Sequence, residues 1–133
     1  RSRAVIRTLA ALVLMAALQD PVEFSKDSFD QIKTAMAKKD AVLVDVREQR
    51  EWDEGHIEGA LLVPLSWLRE ESKSDTFGKR LEEKLPKKIL YIHCRSGGRA
   101  RTAAGMLRKE GYDARPLKAG FDDLRQAGFS VAK

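Results

Sequence analysis

Apolar positions in this chain follow two rhythms, short unbroken runs and helical stripes, which alternate from Pro21 to the end. Ala41-Val-Leu-Val-Asp-Val46 is a continuous apolar run broken by one Asp near its end, the pattern of a strand buried on both faces. Ala60-Leu-Leu-Val63 and Ile89-Leu-Tyr-Ile-His93 predict further strands of this kind, Ala114 to Leu117 a last one, and Val22 to Phe24 a short edge strand. Between the runs, Phe29, Ile32, Ala35 and Met36 recur at helical spacing, with Ser25 offered as N-cap and Lys38 and Lys39 closing the last turn. Glu48 to Glu54 predicts a short polar helix before Gly55. Residues 65–85 predict one or two helical pieces that turn Leu65, Leu68, Phe77, Leu81 and Leu85 inward. Ala100, Ala103, Ala104 and Leu107 mark one face of a helix stopped by Gly111, and Phe121 and Leu124 the apolar side of a closing helix stopped by Gly128. Strands separated by helices on this spacing imply an α/β domain, a central parallel sheet of about five strands with helices on both faces. Ligands of such sheets sit beyond the carboxyl ends of the strands. Cys94 directly follows one of them.

The N-terminal segment breaks the pattern. Arg1, Arg3 and Arg7 precede an apolar run from Leu9 to Leu18, too short to span a bilayer but suited to a secretory signal. Residues 1–19 therefore read as a signal peptide, with Met15 and Ala17 ill suited to cleavage, or as a retained apolar helix that packs on the body or lies on a membrane surface. The first reading implies a periplasmic or exported protein, the second a cytoplasmic one whose membrane contact runs only through residues 1–18. Those three arginines also carry most of the net charge of +5, leaving 22 basic against 20 acidic groups in the rest of the chain. A body so nearly neutral gives no case for a nucleic-acid partner. With 43 % apolar and 34 % charged residues, the composition is that of an ordinary folded domain.

Cys94 is the only cysteine, which excludes an intramolecular disulfide and any cysteine-based metal cluster. His56 and His93 are too few to imply a metal site, and the chain implies no cofactor. The chemistry lies in Cys94-Arg-Ser-Gly-Gly-Arg99, where a buried strand passes into an amphipathic helix. Adjacent glycines let successive N–H groups point into one concavity, the helix adds the positive end of its dipole, and Arg95 and Arg99 add full charges. Such a cradle favours the thiolate of Cys94 over the thiol. His93 alternates with Cys94 along the strand and so should face away, hydrogen-bonded behind the loop. His56 sits in a Gly-flanked turn suited to loop bonding. Arg101, Arg108 and Arg115 read as a solvated surface.

Three blocks make residues 20–133 resemble the rhodanese-like family: Val44-Asp-Val-Arg-Glu48 with Glu51-Trp52; Gly55-His-Ile-Glu-Gly-Ala60 leading to Val63-Pro64; and His93-Cys-Arg-Ser-Gly-Gly-Arg99. The resemblance implies a single domain that moves a sulfane sulfur from thiosulfate or a similar donor through a Cys94 persulfide to a thiophilic acceptor. Arg95 and Arg99 would orient the anionic donor and the amides of Ser96, Gly97 and Gly98 would support the persulfide. Asp45 and Arg47 would form a buttress under the loop, with Glu51 and Trp52 in packing and ion-pair roles. The partners so implied are a small anionic sulfur donor and a cyanide or thiol acceptor, or a protein that gives or takes the sulfur. Four residues separate Cys94 from Arg99, as in the sulfurtransferase branch, whereas phosphatase and arsenate-reducing relatives have five. A persulfide carrier or docking module, and a cysteine-dependent phosphatase or oxyanion reductase, are the competing functions. The sequence departs from the family at Ala119-Gly120-Phe121, where a Gly-Gly pair is common, and in the closing helix, where Leu124 replaces a tryptophan. Both positions lie toward the acceptor side, so the resemblance leaves the acceptor open.

Overall fold

The computed structural model describes residues 22–133; the signal or helix expected over residues 1–19 lies outside them. Helix α1 (Phe29–Ala37) leads into strand β1 (Ala41–Asp45), the short helix α2 (Gln49–Glu54) and the two-residue strands β2 (His56–Ile57) and β3 (Leu61–Leu62). Two helices follow, α3 (Leu65–Glu71) and α4 (Phe77–Lys84), then β4 (Ile89–His93), α5 (Gly98–Lys109), β5 (Asp113–Pro116), α6 (Phe121–Gln126) and β6 (Val131–Ala132).

The central sheet is parallel, in the order β3-β1-β4-β5. Its middle pair is in register from Ala41 opposite Ile89 to Asp45 opposite His93. This sheet has four strands among the described residues rather than about five, because Val22 to Phe24 does not pair as an edge strand. Only the Ser25 amide reaches β5, donating to the Pro116 carbonyl at 2.7 Å. Pro116 has no N–H to return, and the next amide, Leu117, is committed to Ile92 O at 2.8 Å. The N-cap of α1 is Ser28 rather than Ser25. Its hydroxyl accepts from Gln31 N and its own amide donates to the Gln31 side chain, a capping box that Ser25, bonded to Asp27 N, does not form. A small antiparallel pair, β2 with β6, has no counterpart in the apolar pattern.

Alternation along the buried strands divides the core between the two faces of the sheet. Val44, Val46, Leu90 and Ile92 pack with the inward residues of α3, α4 and α5; Leu43 and Tyr91 pack with Ile32 of α1 and Leu124 of α6. Leu65, Leu68, Phe77, Leu81 and Leu85 are all buried, in two helices. Arg101 and Arg108 are tied back to carbonyls of Val22 and Ala114, and Arg115 to Asp27 and Asp113. No helix among the described residues is long and apolar enough to cross a membrane.

Candidate active site

The pleat of β4 sets the site. Tyr91 joins the α1/α6 side of the core while Ile92 leads on toward Cys94, which packs with the α3/α4/α5 side and is 1 % exposed. The chain then turns through Arg95, Ser96 and Gly97 into α5. Gly97 has φ +101°, a left-handed conformation that a side chain would strain, and its amide donates to Cys94 Sγ at 3.1 Å. Of the three amides expected around the sulfur, this is the one that bonds it among the described residues. The twelve-residue α5 adds its positive end just beyond.

The loop is fixed from outside by contacts that the sequence does not announce. Phe121 N donates to the Cys94 carbonyl at 3.0 Å. Gly120 lies against the Arg95 carbonyl, and Phe24 packs over Gly97 so closely that a Cβ there would meet its ring at 2.9 Å. The signal for Gly120 was the glycine after the last strand. For Phe24 it was an aromatic residue in the supposed edge strand.

The two arginines of the loop part company. Arg95 is exposed and lines a cleft of about 450 Å³ together with Arg47, Glu51, Gly55 and Phe121; Cys94 is not among the lining residues. Arg99 is instead engaged by Glu51 in a two-pronged ion pair, Nη1 to Oε1 at 2.6 Å and Nη2 to Oε2 at 3.1 Å. The Arg99 hydrogen bond, working against desolvation, holds the Glu51 carboxyl at about 2. The family resemblance implies an ion-pair role for Glu51 but not its partner, Arg99, which lies 48 residues away in the chain.

Asp45 and Arg47 form a buried pair below the cleft. Asp45 accepts the Arg47 amide at 2.9 Å and its guanidinium at 2.8 to 3.1 Å, while Arg47 Nη2 also donates to Gly55 O at 2.8 Å and the guanidinium stacks 4.4 Å from the Phe121 ring. The pair thus joins the end of β1 to the β2 turn and the start of α6.

His93 corrects an expectation. It is fully buried, but neither ring nitrogen has a hydrogen-bond partner among the described residues, and Asp45 Oδ2 stands 4.0 Å from Nε2. Asp45 spends its oxygens on Arg47, which leaves the imidazole beside a carboxylate that does not bond it. Burial pushes the His93 pKa below its ordinary 6.5, against the pull of Asp45. His56 hydrogen-bonds Trp52 O through Nδ1 at 3.1 Å and stacks on the Trp52 ring at 3.6 Å.

The sequence profile of the family described as Rhodanese-like domain matches residues 28–127. Over 84 residues the chain is 34 % identical to a Schizosaccharomyces pombe protein named "Putative thiosulfate sulfurtransferase, mitochondrial", spanning 60 % of this chain and 59 % of that one. It is 34 % identical over 79 residues to a Bacillus licheniformis tRNA uridine(34) hydroxylase, covering 59 % of this chain but 24 % of the hydroxylase. Among solved structures, reduced Bacillus anthracis CoADR-RHD matches with a TM-score of 0.57 and 33 % identity over 77 % of this chain and 16 % of that one. With its parallel α/β sheet, its cysteine at the end of β4 and a profile match over three quarters of its length, the chain belongs to the rhodanese-like domain family.

Proposed function

We propose that the chain is a sulfurtransferase that carries sulfane sulfur on Cys94. The Cys94 thiolate attacks the outer sulfur of thiosulfate, the S–S bond of the donor breaks, and sulfite leaves with the bonding electrons. Cyanide or a thiolate then attacks the outer sulfur of the Cys94 persulfide and returns the Cys94 thiolate. No external oxidant or reductant is needed.

One observation carries the reading: at the carboxyl end of β4 the Cys94 sulfur accepts the Gly97 amide, so the loop presents a main-chain donor to an anionic sulfur. The same contact serves a persulfide, whose charge is spread over two sulfurs. Arg95, exposed on the neighbouring cleft, supplies the charge that draws an anionic donor. The likeness to the S. pombe protein supports thiosulfate as the donor class. Asp45 and Arg47 act as the buttress beneath, and their burial favours a supporting over a chemical role.

The test is the thiosulfate–cyanide assay with purified protein and a Cys94→Ser control. Thiocyanate production by the wild type that the control lacks supports the reading; equal yields remove it. A persulfide carrier that serves a protein partner would take sulfur from a cysteine desulfurase and not from thiosulfate. Hydrolysis of an aryl phosphate that Cys94→Ser abolishes would favour the phosphatase instead.

A further inference from the structure

Glu51 stands where the anionic donor is expected. Its two oxygens occupy both terminal nitrogens of Arg99, the fork-to-fork geometry that a donor sulfonate would also seek. The pair is not sealed: the Arg99 side chain is 33 % exposed and that of Glu51 20 %, so an incoming anion can compete for the guanidinium. Glu51 has a second tether that does not depend on Arg99. At the third position of α2, its Oε1 accepts the Glu48 amide at 3.0 Å, which caps the helix and keeps the carboxylate on the cleft wall. Displaced from Arg99, Glu51 would therefore remain beside the donor as a negative charge.

We propose that Glu51 is a specificity-determining residue, a built-in competitor for Arg99 that disfavours dianionic thiosulfate relative to sulfane donors of lower charge. The inference rests on the sulfurtransferase reading above and, within its donor class, ranks persulfides and thiosulfonates that bring one negative charge or none above thiosulfate. Paired with Arg99, the carboxyl is held well below the usual carboxylate range, so this competition is present at neutral pH.

Glu51→Gln isolates the effect, because glutamine can accept the same Glu48 amide and retain the cap. The expected result is a fall in KM for thiosulfate of about three- to tenfold, the scale of a partly exposed ion pair plus one removed repulsion, with kcat held within about twofold. KM for a monoanionic arene thiosulfonate should move by less than about half of that factor. A role confined to helix capping would leave both KM values in place. Calorimetric titration of thiosulfate into Cys94→Ser and Cys94→Ser/Glu51→Gln proteins reads the same competition without turnover. Tighter binding to the double variant supports the inference even where the wild type makes no thiocyanate, a result that would remove only the sulfurtransferase reading. Unchanged or weaker binding, or no binding to either protein, overturns the inference even where turnover is robust.

Discussion

The α-carbon of Gly120 faces the main chain of Arg95 at such close range that a Cβ built on it would stand 1.8 Å from the Arg95 carbonyl oxygen. No side chain can relieve that contact, because the colliding atom belongs to the backbone of the active loop. Gly120→Ala should therefore push the loop off its seat rather than merely crowd it. We expect a loss of about 1–3 kcal/mol in unfolding free energy by urea titration. We also expect a drop in kcat/KM of at least about tenfold, since an active loop displaced by an ångström loses alignment. Wild-type stability and activity in Gly120→Ala would show that the loop and α6 are not in this contact.

The buried Asp45–Arg47 pair predicts an asymmetry between single and double replacements. Asp45→Asn leaves a buried guanidinium without its counter-charge and should cost about 3–5 kcal/mol. Replacing both partners, as Asp45→Leu with Arg47→Met, removes the stranded charge and should recover most of that loss, short of the hydrogen bond to Gly55 O. Denaturant midpoints of the three proteins check this. A double variant less stable than Asp45→Asn would contradict it.

His93 predicts a pH dependence of stability. The unfolded chain protonates this imidazole near 6.5, and the native protein only at lower pH because the ring is buried. Between those two values the unfolded state binds the extra proton, so the contribution of His93 is intact above about pH 6.5 and is lost as pH falls below it, at up to about 1.4 kcal/mol per pH unit. The carboxyls whose values are lowered, Asp27 and Glu51, are lost only well below this window, as pH drops through the ordinary carboxylate range. Urea midpoints from pH 7.5 to 5.5 should therefore slope downward for the wild type and flatten in His93→Phe. Parallel slopes in the two proteins would show that His93 does not set the dependence.

What could be read from the chain beforehand divides along physical lines. The Ile89–His93 strand, the alanine face of α5 and the burial of Leu68 and Leu81 all follow from local periodicity, which the structure keeps. Cys94 stood out because strand, cysteine, paired glycines and helix occur within a few residues. Features that depend on meeting a distant partner were not legible. The β2–β6 pair spans two residues on each side and leaves no periodic trace. Ser25 looked like a cap until the capping box of Ser28 with Gln31 took that role. Arg99 looked available to a donor because nothing local shows that Glu51, from a different helix, would reach it. That the His93 imidazole finds no hydrogen-bond partner among the described residues has the same origin, since Asp45 lies beside it but is bonded to Arg47.

Sulfur uptake by Cys94 is visible to intact-protein mass spectrometry without any acceptor. After incubation with thiosulfate and removal of excess donor, the protein should gain the mass of one sulfur atom. The gain should map to the peptide containing Cys94, vanish with a thiol reductant or cyanide, and be absent from Cys94→Ser. A wild-type mass unchanged after thiosulfate would overturn the sulfurtransferase reading, and one also unchanged after a cysteine desulfurase with its substrate would remove sulfur carriage by Cys94 altogether.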